Sequence, residues 1–78
     1  MKPVIIYSTP TCVYCKGAKE FFKANNISYT EVDVAADAKK RAEMIDKSGQ
    51  MGVPVIEVGE DIVVGFDKKL LSHLLGVK

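Results

Sequence analysis

The sequence predicts an α/β domain of order βαβαββα, with a four-stranded mixed sheet and helices on both of its faces. Three observations predict it. Short apolar or alternating runs of strand character are separated by stretches of helical spacing. The last two strand runs are joined by Gly59-Glu60-Asp61, which is hairpin length. The chain has 78 residues, 47% of them hydrophobic, enough for one small core and no more, so residues 1–78 are read as a single domain.

Val4-Ile5-Ile6-Tyr7 is a continuous apolar run, as expected of a strand buried on both faces. Ser8-Thr9-Pro10-Thr11 follows as a loop: Pro10 bars a regular ladder, and Thr11 is placed to cap the next helix. From Cys12 to about Asn25 the spacing is helical. Cys15, Ala18 and Phe22 share a face with Phe21 beside them, while Lys16, Lys19, Glu20 and Lys23 point to water. Asn25-Asn26 stops this helix, because asparagine tolerates the left-handed cap. Gly17, inside it, either costs about 1 kcal/mol relative to alanine or marks close packing against a neighbour.

Ile27 to Val34 alternates and reads as a strand with one face more buried, at an edge of the sheet. Helical spacing returns from Ala35 to Ser48, with Ala38, Ala42 and Ile45 as a narrow apolar stripe and Gly49 as the stop. Val53 to Val58 and Ile62 to Val64 are the hairpin strands. Asp67 then caps a final helix carrying Leu70, Leu71, Leu74 and Leu75, closed by Gly76. The first βαβ unit is expected to be parallel and right-handed.

Composition narrows the function. A net charge of +1 provides no basic field of the kind that gathers nucleic acid, and Lys39-Lys40-Arg41 reads as the solvated face of a helix. The apolar residues after Met1-Lys2-Pro3 are too few for a signal-peptide core or a membrane span. A cytoplasmic, reducing location is therefore expected, with no membrane or nucleic-acid partner. In such a compartment the only two cysteines, Cys12 and Cys15, are read as catalytic and not as a structural bridge. A closed zinc site wants four ligands, and this pair with the distant His73 falls short. An iron–sulfur centre shared between two chains would borrow ligands from elsewhere, which leaves a cluster-carrier module as an alternative of another class.

Cys12-Val13-Tyr14-Cys15 sits where a buried strand passes into a helix. Free amide donors at a helix start favour a thiolate, so the Cys12 thiol is expected below the ordinary value of about 8.5, with Lys16 adding a weaker positive charge. Cys15, on the apolar face, is expected to be the shielded thiol. Two further motifs follow in order. In Gly52-Val53-Pro54-Val55 a proline opens an apolar strand, either as a trans proline at an edge or as a cis bond that holds the preceding backbone outward. In Gly65-Phe66-Asp67 either the helix start receives an anion, or Gly65 simply turns and Asp67 simply caps.

Taken together, Cys12-Val13-Tyr14-Cys15, Gly52-Val53-Pro54 and Gly65-Phe66-Asp67 in a βαβαββα chain resemble a glutaredoxin over nearly the full length. The resemblance implies the minimal thioredoxin fold, with strand order 2-1-3-4, and a cis Val53–Pro54 bond. It implies a thiol–disulfide oxidoreductase that reduces protein or glutathione mixed disulfides, needing no metal or bound cofactor and taking glutathione as co-substrate. Cys12 would be the nucleophile and Cys15 the resolving thiol. Tyr14 would pack beside glutathione, and Val53, ahead of Pro54, would pair its backbone with the cysteinyl part. Gly65, Phe66 and Asp67 would receive the γ-glutamyl end, and Lys16 or Gln50 would stand in for the family's lysine at the glycyl carboxylate, Lys16 being the nearer to Cys12 in sequence. Glutathionylated or disulfide-bearing proteins would be the partners, and the chain would work as a monomer. Two positions depart from the family pattern. Val13 stands where many glutaredoxins have proline, and Thr9 where they often carry lysine. Val13 is similar to glutaredoxin-like reductants of ribonucleotide reductase, which implies thioredoxin reductase as the alternative electron donor.

Overall fold

Val4, Ile6, Tyr7 and Ser8 are all buried because their strand, β1 (Val4–Ser8), lies inside the sheet with a partner on each side. The computed structural model describes residues 3–77. Met1 and Lys2, which begin the domain in the sequence reading, and Lys78, which ends it, lie outside the described residues. After β1 come α1 (Val13–Ala24), β2 (Thr30–Asp33), α2 (Ala38–Ser48), β3 (Val55–Val58), β4 (Asp61–Val64) and α3 (Lys68–Leu75). The four strands are ordered β2-β1-β3-β4, with β1 and β2 parallel and the other two pairs antiparallel. This is the expected minimal thioredoxin fold.

The strand period of two divides the core between the two faces. Val4 and Ile6 of β1, Ile56 and Val58 of β3, and Val63 of β4 pack with Ala18, Phe21 and Phe22 of α1 and Leu71 of α3. Tyr7 and Val55 face the other way, against Met44 of α2 and Val34. The sheet is thus filled between α1 and α3 on one side and α2 on the other.

Three expectations are corrected. Cys12, not Thr11, is the N-cap of α1: its backbone is extended and its sulfur accepts from the Cys15 N–H at 3.1 Å. Thr9-Pro10-Thr11-Cys12 instead forms a turn, closed by the Cys12 N–H on the Thr9 carbonyl at 3.2 Å. Proline suits the second position of such a turn. Next, α2 begins three residues later than expected, at Ala38. Asp33 Oδ1 accepts from Ala35 and Ala36 and holds the preceding residues in a turn, and Asp37 caps the helix through Lys40 N–H at 3.0 Å. Its buried residue is Met44, with Ile45 half-buried, whereas Ala38 and Ala42 are exposed. The first half of α2 lies away from the core, and only its second half, where a long unbranched side chain reaches the sheet, packs on it. Finally, both expected longer strands are trimmed: β2 starts at Thr30 and β3 at Val55.

Other stops fall as expected. Asn26 adopts a left-handed backbone (φ 56°) after α1, and Gly49 and Gly76 do so after α2 and α3. Gly17 lies under Phe66: a Cβ there would meet the Phe66 ring at 3.4 Å, at the near edge of ordinary contact. Removing glycine's backbone freedom from the helix then gains more than the contact loses. Gly17→Ala is expected to raise stability by about 0.5–1 kcal/mol, read as a higher urea midpoint at unchanged slope. A lower midpoint would show that the Phe66 ring has no room to give.

Candidate active site

Cys12 and Cys15 are joined as a disulfide, their Cα atoms 5.2 Å apart. One sits before the helix and the other at its third residue, so the rise of a single turn brings the two sulfurs together. They are unequal. Cys15 is 1% exposed, packed on the buried face of α1, while Cys12 is partly exposed at the mouth of the site. The N–H that donates to Cys12 Sγ is one of the orphan donors of the helix start, and the first turn carries no acidic side chain to oppose a negative sulfur.

The pairing of β1 with β3 brings the second motif to the same end of the sheet. Tyr7 lies opposite Val55, so Val53-Pro54 stands beside the loop that leads from Ser8 to Cys12. The Val53–Pro54 bond is cis, as the resemblance implied. Pro54 is buried and Val53 half-buried. The third motif is tied to the second: the Gly65 N–H donates to the Pro54 carbonyl at 2.8 Å, with Gly65 in the left-handed region (φ 82°). Asp67 caps α3, its Oδ1 accepting from Leu70 N–H at 3.1 Å.

The structure separates some residues that the sequence grouped. Phe66 packs its ring against Phe21, centroids 6.0 Å apart, and against Gly17, so its side chain belongs to the core and only its backbone belongs to the turn. Tyr14 is 70% exposed beside Cys12, flanked by Val13, also exposed. Lys16 lies in a groove of about 490 Å³ with Cys12, on the side of α1 away from Phe66. Met51, 78% exposed and two residues ahead of Val53, was not singled out in the sequence, where a lone methionine in a loop carries no signal. Among the described residues no group of three or more His, Cys, Asp or Glu side chains could hold a metal ion, and no helix is long and apolar enough to cross a membrane.

A polar cluster unforeseen in the sequence borders the groove. Glu31 Oε2 accepts from Lys19 Nζ at 2.7 Å and from the buried Ser8 hydroxyl at 3.0 Å. The hydrogen bond from Lys19 holds the Glu31 carboxyl below its ordinary 4.5, with Ser8 acting in the same sense and burial opposing. The same bond holds Lys19 above its ordinary 10.5. The lowered carboxyl contributes stability that is present above the ordinary carboxylate range and lost as pH falls through the lowered value. The raised amine contributes stability that is present below 10.5 and lost as pH rises through its own raised value. Glu31→Gln is therefore expected to flatten the acid limb of the stability–pH profile, measured by urea melts from neutral to acid pH. Coincident acid limbs in the two proteins would contradict this.

A cysteine pair two residues apart at a helix start, on a thioredoxin fold, is the site of a thiol–disulfide oxidoreductase. The comparisons agree. The glutaredoxin family model matches residues 4–63. An uncharacterized glutaredoxin-like 8.6 kDa protein from the rubredoxin operon of Clostridium pasteurianum is 50% identical, over 90% of this chain and 93% of its own. Glutaredoxin 3 of Escherichia coli K12 is 37% identical, over 86% and 81%. The crystal structure of a thioredoxin-like protein, solved as a point mutant, superposes over the whole of both chains with a TM-score of 0.92 at 33% identity. The chain belongs to the glutaredoxin family.

Proposed function

We propose that the protein is a cytoplasmic dithiol reductase that takes its electrons from glutathione. The single observation that carries the mechanism is the inequality of the two sulfurs, one capping a helix at the surface and the other enclosed beneath it. The Cys12 thiolate attacks one sulfur of a substrate disulfide, forming a mixed disulfide and expelling the other half as a thiolate, which takes a proton from solvent. Cys15 loses its proton and attacks Cys12 Sγ, releasing the second half as a thiol and leaving the Cys12–Cys15 disulfide. Two glutathione molecules then return two electrons and leave as glutathione disulfide.

Glutathione is supported by the arrangement around Cys12. Tyr14 offers an exposed ring beside the sulfur, and the Val53 backbone stands ahead of a buried proline. The Gly65-Phe66-Asp67 turn is hydrogen-bonded to that same proline. Lys16, in the groove that Cys12 shares, is a cation for the glycyl carboxylate. Val13 and Thr9 favour the other donor, thioredoxin reductase. A side-by-side assay decides. Turnover with glutathione and its reductase is expected, with Lys16→Glu raising the apparent KM for glutathione about threefold or more, the order of one lost ion pair. Rapid reduction by thioredoxin reductase with no turnover on glutathione would promote the alternative donor.

A further inference from the structure

The groove that Cys12 opens onto is walled by the Thr9–Val13 segment on one side and by a lysine stripe of α1 on the other. Lys16, Lys19 and Lys23 are spaced i, i+3, i+7, which places them along one face of the helix. Lys19 is held in place by Glu31, which the buried Ser8 holds in turn, so its ammonium is positioned although its charge is balanced. Neither Lys16 nor Lys23 is within ion-pair distance of a carboxylate among the described residues, although Lys23 also acts on Glu31 through space, and of the described residues that line the groove only Glu20 is acidic. The excess charge is positive, and it runs outward from the reacting sulfur. From Val13 to Lys23 the helix rises about 15 Å, the length of four or five extended residues, at 1.5 Å per helical and about 3.3 Å per extended residue.

We propose that this groove docks the acidic flank of a disulfide-bearing protein substrate: carboxylates on one side of the substrate cysteine lie along α1 toward Lys23 while its sulfur meets Cys12. The inference rests on the dithiol mechanism proposed above and adds a substrate class to it. The groove's length favours a polypeptide over a small anion, because a single carboxylate near Cys12 would be served by Lys16 and leave Lys23 unused. The charge arrangement also selects against substrates with basic flanks, since like charges set against each other oppose docking.

The test uses two peptides, each as the symmetric disulfide of a single-cysteine peptide and identical except for aspartates or lysines on one flank of the cysteine, each assayed with glutathione and its reductase and again with a thioredoxin-reductase system. The wild-type protein is expected to prefer the aspartate peptide in kcat/KM by about threefold to tenfold at low salt, the order of one or two exposed ion pairs. The preference should shrink as added salt screens it. Lys23→Glu should remove or invert the preference, and Glu20→Lys should enlarge it. Because each value is a ratio within one variant, a general loss of activity or of folded protein does not imitate the result. Equal kcat/KM for the two peptides, or a preference that Lys23→Glu leaves intact, would overturn the docking proposal alone. Failure to reduce either peptide with either donor would overturn the dithiol reading with it.

Discussion

Replacing Cys12 with serine is expected to abolish turnover on every disulfide substrate. The nucleophile in disulfide exchange is a thiolate, and a serine hydroxyl at neutral pH supplies no comparable anion. Cys15, which is 1% exposed, cannot take over, because an incoming substrate sulfur cannot reach it in line. The rate should fall to the uncatalysed background. Cys15→Ser has a different outcome: with Cys12 intact the first attack proceeds, and the mixed disulfide with a protein substrate accumulates because nothing inside the protein resolves it. Glutathionylated substrates still turn over in that variant, because external glutathione resolves the Cys12 adduct. Mass spectrometry of Cys15→Ser mixed with substrate should find the adduct on Cys12. Appreciable turnover by Cys12→Ser would remove the assigned nucleophile.

Phe22→Ala is the substitution expected to damage the fold most. The ring is fully buried at the junction of α1 with the sheet, 5.2 Å from Tyr29 and 5.9 Å from Phe21 between centroids. Deleting it should cost about 3–5 kcal/mol, transfer and cavity together. A domain of 78 residues holds about 4–12 kcal/mol in all, so the variant should be largely unfolded or close to it at 37 °C. Urea melts followed by circular dichroism measure the loss. A loss below about 1 kcal/mol would mean that the two aromatic neighbours collapse into the space.

The order of elements and most of their ends were legible in the sequence because they depend on local chemistry. Gly49 and Gly76 stop helices through a backbone state that glycine takes freely, and Asp67 caps α3 through its own side chain. Cys12 was legible as the first member of a motif but not as a cap, since sulfur is an uncommon acceptor and Thr11 beside it is an ordinary one. The Ala38–Ala42–Ile45 stripe misled because helical periodicity shows which residues share a face and not which half of the helix reaches the sheet. Phe66 was placed in the binding turn by its motif, but its ring is drawn into the core by the space that Gly17 leaves open. The Ser8–Glu31–Lys19 cluster was invisible for another reason. Its members come from β1, β2 and α1, and only the parallel pairing of β1 with β2, under α1, brings them together.

The central claim is that Cys12 is the attacking sulfur and Cys15 the enclosed one. The most direct measurement is peptide mapping of the reduced wild-type protein after brief alkylation by iodoacetamide at mildly acidic pH, where only a stabilised thiolate reacts at a useful rate. The geometry predicts label on Cys12, with Cys15 modified only after unfolding. Label that appears first on Cys15, or on both cysteines at the same rate, would contradict it.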